Sequence, residues 1–207
     1  METNIIRIKS LREAAKLGFP VNSALPLLDE CIESKAVEQI VQRLLCLHVV
    51  AACAYGFDRG KANDWIKSEK LGDSLSPSEL DFLKNPKTQS DKFKCQIESM
   101  WALAWALGLV PKMNFGEECD SNFVFVLPDL KVSQPSSVIL SKIKLQTLDA
   151  QVAACDLAYC LHWAIRQAQI ARTDTPGKVA PYVIIERRRA LEWLLGSMQW
   201  DEITLDT

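Results

Sequence analysis

Two arginines, two glutamates and a histidine fall where amphipathic helices should turn inward, and they form a candidate cluster for acid, base or anion-binding chemistry. Advancing about 100° per residue from Leu148 places Val152, Cys155, Tyr159, Trp163 and Ile170 on one stripe of a helix. His162 and Arg166 fall on the same stripe. An arginine there needs an acceptor, because an unpaired buried charge costs on the order of several kcal/mol. Glu186 offers one, sharing a helical face with Tyr182, Arg189 and Trp193. Glu98 offers a second, beside Trp101 and Trp105 where Met100 to Leu107 becomes apolar all round.

These residues support two readings. In the first, Glu98, Glu186, Arg166 and Arg189 are structural ion pairs that set how three helices pack. In the second they line a pocket walled by Trp101, Trp105, Tyr159, Trp163 and Trp193. There an arginine would grip a carboxylate or phosphate, His162 would move a proton, and a glutamate raised in pKa by burial would act as acid or base. The structural reading takes precedence.

Other chemistry finds less support. His48 lies among Val37, Val41, Leu44, Ala51 and Tyr55, the setting of a core imidazole with one hydrogen-bond partner. Cysteines at 31, 46, 53, 95, 119, 155 and 160 form no CxxC pair, and with two distant histidines they give no zinc-site or HExxH spacing. No metal or cofactor is expected. A Cys119 or Cys160 nucleophile served by His162 stays open, since such partners meet in space rather than in sequence. Thr175-Pro-Gly-Lys178 lacks the first glycine and the closing hydroxyl of a phosphate loop, and neither GxGxxG nor GxSxG occurs. Arg187-Arg188-Arg189 point about 100° apart with Glu186 and Glu192 beside them, which predicts a solvated, ion-paired face.

Composition narrows the class. With 48% hydrophobic and 24% charged residues in 207, the chain is unlike a disordered one and long enough for a core. A net charge of -2 gives no basic field, so nucleic acid is not an expected partner. Met1 to Ser10 has no unbroken apolar stretch of the signal-peptide kind. The runs Leu44 to Phe57 and Met100 to Val110 are short of the roughly 20 residues of a membrane span. An odd cysteine count fits a reducing compartment, so the expectation is a cytoplasmic protein away from membranes.

The elements that would position the cluster are helices. Gly18, Gly56 and Gly108 are each followed by an apolar residue, the pattern of a left-handed helix stop. Ser76-Pro-Ser-Glu79 reads as a capping box opening a helix from Pro77 to about Lys84, before Asn85-Pro86. Ser34, Asp58 and Ser90 are expected to cap helices running to about Tyr55, Lys70 and Leu107. Residues from about 111 to 136 are irregular, with a turn or strand at Phe123 to Leu127. A helix then runs from Leu148 to about Ala171 and a last one from Pro181 to Leu195, stopping at Gly196. The expected fold is all-α: one compact multi-helix domain over 1–207, with a central buried helix at about 148–171 that carries His162 and Arg166 inward.

Several segments together resemble a known family. Phe19-Pro-Val-Asn, Leu75-Ser-Pro-Ser-Glu-Leu-Asp-Phe-Leu, Glu98 followed by Trp101 to Gly108, Cys119-Asp120, Leu161-His-Trp-Ala-Ile-Arg166, Glu186 to Trp193 and Trp200 to Thr207 are similar, in that order, to the bacterial family called domain of unknown function 4272. The resemblance implies a helical domain without an assigned reaction. Good folding signals without a catalytic motif favour a protein-binding role, as an immunity or accessory factor whose partner is another protein, such as a toxin or secreted effector more basic than this chain. The rival is a small-molecule-binding or enzymatic domain built on the cluster. Oligomeric state is not legible in these residues.

Overall fold

The computed structural model describes residues 3–29, 32–85 and 90–206. Cys31, Pro86 and Thr207 lie outside them. Helix α1 (Thr3–Lys16) ends at Gly18, and α2 (Val37–Ala54) ends at Gly56. At both, as at Gly108, φ is positive, and the next residue's N–H reaches back to a carbonyl of the last turn, as Phe19 N does to Ala14 O at 3.0 Å. These stops fall where the glycine pattern puts them. Phe19 tucks under α1 and joins the core.

α2 runs through the core, with every residue from Arg43 to Ala51 buried. Its 18 residues have a mean hydropathy of 1.4, apolar enough by length and composition to cross a membrane, but 67% of them are buried inside the fold. The run from Leu44 underestimates this helix because Val37 and Ile40 extend it backwards. Ser34 does not cap it. Ala36 takes that place, donating its N–H to Gln39 Oε1 at 3.2 Å.

Asp58 caps α3 (Arg59–Ser68) by accepting from Lys61 N at 2.8 Å. The capping box at Ser76 and Glu79 opens α4 (Pro77–Lys84) as the sequence predicts. The single helix expected from Ser90 is instead α5 (Ser90–Cys95) and α6 (Ile97–Ala106). Buried Gln96, with ψ -3°, breaks it so that both pieces reach α2.

The irregular segment has no strand among its described residues. It holds 3-10 turns at Phe123–Val126 and Leu130–Val132 and a short helix α7 (Ser137–Leu140), anchored by buried Phe115, Phe123, Leu127, Leu130 and Ile139. Helices α8 (Leu148–Ala171) and α9 (Pro181–Leu195) have the predicted bounds. The packing order is α1 on α8, α8 on α9, α9 on α6 and α6 on α2, with α3, α4 and α5 around α2. The fold is all-α. α8 is packed on two sides by α1 and α9, and Leu148 and Ile170 near its ends are exposed.

Candidate functional site

The run Glu186-Arg187-Arg188-Arg189 divides the cluster, because consecutive residues on α9 face different neighbours. α9 lies between α6 and α8, so its buried arc is wide and takes in Arg187 and Arg188. The solvated basic face expected for this run is therefore corrected. Arg187 is fully buried, with Nε 2.8 Å from Glu98 Oε2. It also donates to Asn114 O and Glu117 O. Glu98 Oε1 accepts from Cys119 N at 2.9 Å, so this pair joins α6, α9 and the irregular segment.

Arg188 serves the other side of α9. Its NH1 lies 2.7 Å from His162 Nδ1, its NH2 donates to Asp206 O, and its Nε pairs with Glu192 at 3.0 Å. The guanidinium also covers the Tyr159 ring at 4.8 Å. A donor on Nδ1 fixes the neutral imidazole with its proton on Nε2. Burial, then Arg188, Arg166 and Arg189, push the His162 pKa down to about 4. At neutral pH its basic nitrogen is occupied.

Glu186 accepts from Ser99 Oγ at 2.8 Å and lies 3.5 Å from Arg189 Nε. Arg189 stays half-buried and reaches Ile203 O. Arg166 is a correction: it is exposed and donates to Gln169 at 2.8 Å. Ile165 and Ala168 on the same turns are buried, so Arg166 stands on the outward side of a stretch of α8 that is otherwise packed. Trp163 is half-buried on the same helix. Trp101 packs edge-on against Phe123 at 5.2 Å, and Trp105 lines a shallow groove with Met113, Phe115 and Leu157. Trp193 packs at 5.9 Å on Trp200 and lies under Lys35, facing away from His162's partners. The named residues thus occupy separate settings rather than one pocket.

Two further buried pairs escape a helical wheel centred on α8. Arg7 on α1 binds Asp156 on α8 at 2.8 Å and donates to Leu25 O and Pro26 O. Arg43 on α2 pairs with Glu79 on α4. Each had a signal: Thr3, Arg7, Ser10 and Ala14 share one helical face, and Glu79 is already the third residue of a capping box.

The thiols are poor nucleophiles. Burial raises Cys160 to about 11 and Cys119 to about 12, with Glu98 adding to the rise at Cys119. His48 is buried with Nε2 2.9 Å from Pro128 O, the single partner expected. Among the described residues no group of three or more His, Cys, Asp and Glu could hold a metal.

The surface carries a different signal. Phe125 is 83% exposed and Val132 73%, although the turns bearing them are anchored by buried Phe123 and Leu130. Beside the second turn an open groove of about 500 Å³ runs past Tyr55, Phe57, Leu130 and Lys131. Tyr55 is 64% exposed at the end of α2.

This is an all-α fold whose helices are tied by buried arginine-carboxylate pairs. The chain belongs to the family described as Domain of unknown function (DUF4272), whose model matches residues 7–203. No curated protein and no solved structure matches the chain.

Proposed function

We propose that this chain is a protein-binding factor of the cytoplasm, acting as an immunity or accessory protein for another protein such as a toxin or secreted effector. The observation that carries this reading is the outward Phe125 and Val132 on anchored turns. Burying such a side chain yields about 1.5–3 kcal/mol, which the free chain forgoes at both positions. Exposed Tyr55 and the groove beside the second turn add apolar and aromatic surface of the kind that protein interfaces use. The cluster around His162 supports catalysis less well, because its charged groups are committed to one another and to backbone carbonyls.

Co-expression with the products of adjacent genes tests the reading. Wild-type chain should co-elute with one of them at a fixed ratio in moderate salt, and the double variant Phe125→Ser, Val132→Ser should lose it while keeping its helical spectrum. If wild type retains none, or the variant retains it unchanged, the proposal fails.

A further inference from the structure

A second concavity lies at the other end of α2, roughly 20 Å along the helix from Tyr55. Its volume is about 410 Å³, within the usual range of ligand pockets. The floor is buried: Arg43, Leu75, Ser76, Trp193 and Trp200. The rim is exposed and polar, with Asp73, Glu202 and the amides of Gln39, Gln42 and Gln199.

The charges at this site are unbalanced. Arg43 is neutralised by Glu79 and its guanidinium lies over the Trp200 ring at 5.0 Å. Asp201 gives both carboxylate oxygens to Ser76 and Ser78. Glu202 uses Oε2 to accept from Gln199 N, and Asp73 has no partner among the described residues. The uncommitted carboxylates sit on the rim, while the nearby Lys35 ammonium, 5.0 Å from the Trp193 ring, is held by Gly196 O. The Arg43 guanidinium is also turned inward: it donates to Ser74 O, and its Nε is closed off from solvent without an acceptor among the described residues.

We infer that this pocket binds a lysine or arginine residue within a peptide segment. A basic side chain lays an aliphatic stem on indole and leucine while its head stays at a wet, anionic rim. The peptide unit carrying it supplies carbonyls and N–H groups for the rim amides, directly or through water. A free amine matches the carboxylates but leaves the rim amides unanswered. An anion meets the unpaired carboxylates Asp73 and Glu202. This site does not depend on the Phe125 surface, and it names a chemistry for the partner that the surface does not.

The probes are acetyl-Gly-Xaa-Gly-amide peptides with Xaa as arginine, lysine, citrulline or norleucine, together with agmatine, maltose and inorganic phosphate. Binding is read from the indole N–H signals of Trp193 and Trp200 in nitrogen-15 spectra of the whole chain. The arginine or lysine peptide should saturate those signals. The citrulline peptide, and the variant Asp73→Asn, Glu202→Gln, should each bind about ten-fold more weakly, the size of one charge-assisted pair. These rim residues are exposed, so the variant should fold normally. The inference is overturned if no peptide shifts the indoles by about 10 mM, a range already weaker than useful recognition. It is equally overturned if norleucine or citrulline binds as well as arginine, if the variant binds unchanged, or if agmatine, maltose or phosphate binds better than either basic peptide. Loss of the co-eluting partner in the Phe125 experiment leaves these peptide results unchanged, so the two proposals fail separately.

Discussion

Arg187 extends from α9 to place Nε 2.8 Å from Glu98 Oε2 on α6, and neither side chain is more than 1% exposed. An ion pair this deep adds little stability over a well-packed apolar pair, yet removing one partner strands a buried charge. Glu98→Ala should therefore cost about 3–5 kcal/mol in urea unfolding, and Glu98→Leu with Arg187→Met should recover most of it. A single variant that costs less than about 1 kcal/mol would show that the pair is not what ties α6 to α9.

The contrast between Arg187 and Arg166 shows what the sequence makes legible. Helix ends depend on local rules, so Gly18, Gly56, Gly108 and the Ser76 capping box are found where residue types alone place them. A wheel gives the phase of a side chain but not which neighbour covers it. Arg166 shares the phase of the buried stripe, yet it is solvated and donates to Gln169 on its own helix, while Ile165 and Ala168 on either side are buried. Arg187 and Arg188 look like a surface run, yet α9 is covered by α6 on one side and α8 on the other. Glu98 and His162 were found by pattern, and both are buried, but their partners come from a contact order that periodicity does not encode. The split at Gln96 is hidden for the same reason, since the residues from Asp91 to Leu107 read as one continuous helical pattern across it.

His162 makes stability depend on pH. Its folded pKa is lowered, by burial first and then by Arg188, Arg166 and Arg189, to about 4 against an ordinary 6.5. As pH falls through that window the unfolded chain takes up a proton that the folded chain refuses, so stability falls. His162→Asn keeps an acceptor for Arg188 and removes the titration. Wild type should lose stability between about pH 6.5 and 4 with a slope steeper than the variant's by up to one proton. Parallel slopes would exclude His162 as the titrating group.

Gly108 has a steric duty that Gly18 and Gly56 lack. All three have positive φ, but a Cβ at Gly108 would lie 2.2 Å from Lys144 O, whereas at Gly18 and Gly56 it would meet nothing within 4 Å. Lys144 N in turn donates to Leu107 O at 2.9 Å, tying the end of α6 to the segment before α8. Gly18→Ala and Gly56→Ala should each cost about 1–2 kcal/mol, the left-handed penalty for a residue with a Cβ. Gly108→Ala should cost clearly more by thermal unfolding, because backbone must move as well. Equal losses at all three would mean that the close approach to Lys144 is soft.

Asp201 caps a helix from a distance. Its carboxylate accepts from Ser78 N at 2.8 Å and from the hydroxyls of Ser78 and Ser76, at the positive end of α4. Burial alone would raise its pKa, but the Ser78 N–H and the two hydroxyls outweigh that and hold it below the ordinary carboxylate range. The contribution is therefore present at neutral pH and lost as pH falls through the folded pKa. Asp201→Ala should cost about 1 kcal/mol at pH 7, the usual worth of a cap, and the gap from wild type should narrow as the pH is taken below the ordinary carboxylate range. Asp201→Asn separates charge from hydrogen bonding: it keeps an acceptor for Ser78 N, so it should fall between the two at pH 7. A gap that stays constant or widens in acid would mean that the ionised carboxylate is not what holds the Trp200–Glu202 turn against α4.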